Sequence, residues 1–160
     1  AAAIRPVLEK LQFDRVYSSD LSRAMETQQI ALPGIEGIRT PLLREFDVGN
    51  LTNVSYADAE ARYSQQLEEA RTNGYDWFGG ESYDQILGRL REFLHILEAD
   101  PCENVAAFTH NGMLGFMLQL VLGVQFSRTA VQSNNCAIQV FEFDGMRWKL
   151  LAWNYMSDIS

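Results

Sequence analysis

A chain of 160 residues, 47% of them apolar, is long enough to bury one core and form a single domain over 1–160. Its 21 acidic side chains outweigh 13 lysines and arginines, a formal charge of −8 that disfavours nucleic acid or an anionic membrane as partner and makes any cluster of cations conspicuous. No apolar run reaches the roughly eighteen residues that span a bilayer; Arg5, Pro6, Glu9 and Lys10 break any signal-peptide core, and two distant thiols, Cys102 and Cys136, predict a reducing cytoplasmic setting.

Taken in order, the pattern alternates strands and helices, which predicts an α/β fold. A helix is expected over 5–11, then a β-prone run over 13–17. Ser18-Ser19-Asp20 offers N-cap chemistry for a helix over about 21–32, which Pro33-Gly34 stops. A short strand over 35–38 leads into an irregular stretch, 40–53. Residues 56–71 are polar and helix-prone. After Gly79-Gly80-Glu81-Ser82, the residues Ile86, Leu87, Leu90, Phe93, Leu94 and Leu97 recur at spacings of three and four, so one helix buries a stripe. Val105–Phe108 has the compact apolar character of a strand buried on both faces. Residues 113–122 are apolar nearly all round and read as a buried helix. Segments 137–143 and 147–153, joined at Asp144-Gly145, predict a terminal β-hairpin.

Two strand-to-helix junctions carry unusual polar residues. Arg23 falls in the first helical turn after Ser18-Ser19-Asp20, where the macrodipole disfavours a cation by roughly 0.3–1 kcal/mol. An anion held by Arg23 and free backbone N–H groups offsets that cost; a solvated arginine, or an ion pair with Asp20 or Glu26, is the plainer reading. His110 follows the strand Val105–Phe108, at the carboxyl edge where open α/β sheets bind ligands, with the N–H groups of Asn111 and Gly112 opening the next helix. A satisfied core histidine is the alternative. Glu45 is an acid in an otherwise apolar loop, or a surface charge. His95 lies on the polar side of its helix and reads as solvated. Two separated histidines and no paired cysteines predict no metal site, and neither a Walker loop nor a Gly-x-Gly-x-x-Gly dinucleotide motif occurs, so no cofactor is expected.

In this order the segments resemble the histidine phosphatase superfamily, the phosphoglycerate mutase-like kind. Residues 13–24 with Thr27 are similar to its second-strand motif, and Leu43-Arg44-Glu45-Phe46-Asp47-Val48-Gly49 to the loop carrying its acid. Gly80-Glu81-Ser82 with Arg89 resembles a third marker, and Phe108-Thr109-His110-Asn111-Gly112 the motif of its second histidine. Asn135-Cys136-Ala137-Ile138 and Trp153-Asn154 are similar to the closing strands. The resemblance implies a three-layer α/β/α fold with a mostly parallel central sheet. It further implies a small phosphorylated substrate, with Arg23 and His110 holding the phosphoryl oxygens and Asn111 and Gly112 adding N–H groups. Glu45 would be the proton donor, and neither metal nor cofactor would take part.

Two departures qualify it. The family's Arg-His-Gly strand, whose histidine becomes phosphorylated, has no counterpart here, so the natural protein is expected to carry an upstream segment with it. The acid loop continues as Gly49-Asn50-Leu51-Thr52 where the family often has a Trp and an acid, which loosens the substrate-side wall. The stretch after Glu45 is shorter than the insertion expected of true phosphoglycerate mutases. Hydrolysis through a phosphohistidine is therefore favoured over mutase-type transfer; a non-catalytic phosphate-binding module is the remaining alternative.

Overall fold

A computed structural model describes residues 1–127 and 130–155. The strands are β1 (Arg15–Ser19), β2 (Ile38–Thr40), β3 (Val105–Phe108), β4 (Ile138–Phe143) and β5 (Trp148–Tyr155). The helices are α1 (Arg5–Leu8), α2 (Ser22–Ala31), α3 (Tyr56–Asn73), α4 (Tyr83–Ala99) and α5 (Asn111–Leu122). Three strands form a parallel sheet in the order β2-β1-β3, and β4 and β5 pair as an antiparallel hairpin.

Alternation along β1 and β3 sets the layers, because successive side chains leave a strand on opposite faces. Val16, Ala106 and Phe108 pack with Ile4, Leu8, Ala31 and Leu32 beneath α1 and α2. Tyr17 and Val105 point the other way, against Phe93 and Leu97 of α4 and Met117 of α5. Helices thus cover both faces of the sheet. Ile86, Leu87, Leu90, Phe93 and Leu94 are all buried, as their spacing predicts, and Leu97 is half-buried. Ser82 and Gln85 close a reciprocal capping box that starts α4.

Several boundaries differ from the expectation. The first helix ends at Leu8, and both early strands begin two or three residues later than predicted. The irregular stretch holds two 3₁₀ turns, Pro41–Leu43 and Gly49–Leu51. α3 is broken at Tyr63, whose φ of −138° and ψ of 32° leave the helical region. The break lets Arg71 reach both Glu60 and the Tyr56 hydroxyl, fifteen positions away, at 2.8 and 2.7 Å; on a straight helix that separation would be about 22 Å. The hairpin turn pairs Asp144 with Arg147 around Gly145, whose φ is +87°.

β3 is the main correction. Two-sided burial was expected, yet Val105, Ala106 and Phe108 are only half-buried and Ala107 is exposed. Among the described residues, β3 has a strand neighbour on one side only, β1.

Candidate active site

The chain order creates a crevice at one place. β1 is central, with β2 on one side and β3 on the other. The helix after β1 packs on one face of the sheet, and the helix after β3 on the opposite face. Between two such strands their carboxyl ends open apart, and ligands bind there. Ser18 and Phe108 are the last register partners. Just beyond them β1 delivers Ser19, Asp20 and Arg23, while β3 delivers Thr109 and His110, the N-cap residue of α5.

Arg23 Nε donates to His110 Nδ1 at 3.0 Å. With Nδ1 accepting, the ring proton sits on Nε2, which donates to Ser19 Oγ at 2.9 Å. Ser19 Oγ also accepts from the Leu21 N–H at 3.3 Å. His110 is 6% exposed as a residue and Ser19 fully buried. Burial first, then the charges of Arg23 and Arg89, push the His110 pKa down to about 4. A neutral ring at pH 7 suits a nitrogen that accepts from a guanidinium.

Arg23 does not take the plainer partners that its position offered. The Asp20 carboxylate is gripped by Arg44, with Nε and Nη2 each at 2.7 Å. Among the described residues no acid pairs with Arg23, and its two Nη groups meet no protein acceptor. They are available to an anion.

Glu45 reaches the same end of the sheet from the loop after β2. The first turn of α5 has no side-chain cap, and Glu45 Oε2 accepts from the Gly112 N–H at 3.3 Å. The carboxylate stands at the positive end of the α5 dipole, which favours negative charge. Gly112 therefore serves Glu45, while among the described residues the Asn111 N–H, one position earlier in the turn, has no protein acceptor. A cavity of about 270 Å³ separates this turn from the hairpin, lined by Asn111, Gly112, Gly115, Gln132, Ser133 and Trp153 among others. Its wall does not include Arg23 or Glu45. His95 stands apart, with 74% of its side chain exposed and Glu98 4.0 Å away. Among the described residues no three His, Cys, Asp or Glu side chains gather as a metal-ion site would need.

Two contributors were not singled out from the sequence. Its sequence context places Ser19 in a helix cap, whereas its hydroxyl anchors His110; a serine closing a buried strand is the available signal. Arg89, noted only within a motif, binds the loop that carries Glu45 through the carbonyls of Leu42 and Arg44 at 2.9 and 3.0 Å.

Fold and site together define an α/β protein whose parallel sheet brings Arg23, His110 and the first turn of α5 together at its switch point. The chain belongs to the histidine phosphatase superfamily (branch 1), whose family model matches residues 1–156. It is 28% identical over 156 residues to phosphoglycerate mutase-like protein 4 of Arabidopsis thaliana, covering 92% of this chain and 67% of that one. It is 29% identical over 150 residues to a 2,3-bisphosphoglycerate-dependent phosphoglycerate mutase of Brucella melitensis, covering 88% of this chain and 73% of that protein. In shape it is similar to a mycobacterial glucosyl-3-phosphoglycerate phosphatase solved with inorganic phosphate. That match has a TM-score of 0.83 and 24% identity, over 99% of this chain and 85% of the other. These likenesses establish the parallel-sheet α/β fold.

Proposed function

We propose that this chain supplies the phosphate-holding and proton-donating part of a metal-independent phosphomonoesterase that works through a phosphohistidine. Arg23 and His110, 87 positions apart, meet at 3.0 Å where β1 and β3 end, and that meeting carries the reading. The free Nη groups of Arg23 and the Asn111 N–H face an incoming phosphoryl group. The His110 Nε2–H, the donor of the neutral ring, turns from Ser19 Oγ to a phosphoryl oxygen. Fixed donors of this kind stabilise charge spread over the equatorial oxygens without reorganising.

The nucleophilic histidine is assigned to a strand upstream of Ala1. The half-exposed faces of β3, which among the described residues pairs with β1 alone, support a further strand there. In the first step a P–N bond forms to that histidine and the bond from phosphorus to the substrate oxygen breaks. Glu45 gives its proton to the leaving alkoxide. Water then attacks phosphorus, passing a proton to the Glu45 carboxylate as the P–N bond breaks and inorganic phosphate leaves. Like charges held close favour protonation of one of them, so the arriving phosphate itself favours the protonated acid. The short stretch after Glu45 leaves little to retain a product for transfer back, which supports hydrolysis over mutase chemistry.

The test uses the full-length protein on p-nitrophenyl phosphate with EDTA present. Turnover is expected, falling by about 10²–10³ in Arg23→Ala and in His110→Ala with circular dichroism unchanged. Vanadate binding without turnover in the unaltered protein would overturn the enzyme reading in favour of a phosphate-binding module.

A further inference from the structure

The Gly80-Glu81-Ser82 motif and Arg89 take no part in that mechanism, yet they hold the loop on which it depends. Arg89 at 17% side-chain exposure is saturated. Its Nε and Nη2 form a fork with the two Glu81 oxygens, each at 2.9 Å. Nη1 donates to the carbonyls of Leu42 and Arg44 at 2.9 and 3.0 Å, with Pro41 at 3.3 Å. The remaining Nη2 N–H is turned to Met113 Sδ at 3.8 Å, so all five N–H groups of this guanidinium face protein atoms and Arg89 is not part of the phosphate clamp.

Glu81 completes the grip from the other side. Its Oε2 accepts from the Asp47 N–H at 2.8 Å, and its own N–H donates to the Asp47 carbonyl at 2.9 Å. The loop is therefore pinned at Arg44, one residue before Glu45, and at Asp47, two residues after it. One ion pair makes both attachments. Gly80 makes the close approach possible, since a Cβ there would lie 2.3 Å from the Asp47 carbonyl oxygen. Between the pins, Glu45 is carried to the Gly112 N–H.

We propose that the Glu81–Arg89 pair is a positioning device that fixes the Glu45 carboxyl at the leaving-group side of the site. This rests on the reading of Glu45 as proton donor. Arg89→Lys keeps the charge but loses the fork; Glu81→Gln keeps the shape but weakens both attachments. Neither change removes a group that holds phosphate.

The experiment compares kcat/KM of the full-length protein on two substrates, p-nitrophenyl phosphate and a simple alkyl phosphate. A nitrophenolate departs without a proton, whereas an alkoxide needs one, and kcat/KM reports the first transfer. Glu45→Gln is the reference and should lose at least about tenfold more on the alkyl phosphate than on the aryl one. Arg89→Lys and Glu81→Gln are expected to show the same leaving-group selectivity. Equal losses on both substrates, or no loss, in either variant that folds would overturn the positioning role. If Arg89→Lys fails to fold, Glu81→Gln decides alone. Glu45→Gln losing equally on both substrates would instead refute Glu45 as donor, and the positioning role with it.

Discussion

The His110 imidazole surrenders its hydration on burial and lies in the field of the Arg23 and Arg89 charges, and each effect opposes a charge on the ring. With a pKa of about 4 in the folded chain against the ordinary 6.5, the native state binds fewer protons than the unfolded chain between those values. Stability from this ring is fully present above about pH 6.5 and is lost as the pH falls towards about 4, to a limit of about 3 kcal/mol. Urea unfolding at pH 7 and pH 5 measures it. Replacing His110 by Asn should flatten the dependence over that window; an unaltered slope would contradict a buried neutral ring. Residue type and motif order brought Arg23, His110 and Glu45 forward as candidates. They could not show that Arg44 takes Asp20 from Arg23, because that contest is decided by which guanidinium the loop after β2 delivers.

Among elements, α4 was the most legible, since a stripe of five buried residues is a local signal that needs no partner to be read. The break in α3 was not legible. Nothing in its polar sequence marks Tyr63, and the bend is tied by Arg71 reaching back to Glu60 and Tyr56. Two glycines separate the local from the tertiary meaning of one residue type. Gly88 lies inside α4 with open space where a Cβ would go, so Gly88→Ala should stabilise the chain by about 0.5–1 kcal/mol. Gly80 faces the Asp47 and Gly49 backbone at 2.3 and 2.8 Å from that position, so Gly80→Ala should cost at least about 2 kcal/mol. Denaturant midpoints measure both, and similar effects from the two would refute the close approach.

At the scale of the molecule, the parallel sheet and its two helical faces follow from the strand-helix alternation, and the chain order places the crevice between β1 and β3. The exposure of β3 ran against its apolar sequence. A run such as Val-Ala-Ala-Phe reports what a strand can bury, whereas actual burial depends on neighbours supplied from elsewhere. If an upstream strand pairs with it, the full-length protein should melt higher than the 160-residue chain. Its β3 amides should also exchange hydrogen more slowly. Equal protection in the two would remove the upstream strand from beside β3.

The sequence by itself determined the alternation of elements, the buried stripe of α4 and the family to which the chain belongs. These are carried by residues within a few positions of one another, or by motif order. Tertiary structure alone decided that Arg23 meets His110, that Ser19 holds the ring's other nitrogen, and that Glu81 and Arg89 pin the Glu45 loop. Those contacts span 87, 91 and up to 48 positions. No local periodicity encodes the direction in which a side chain points once the sheet has brought distant strand ends together.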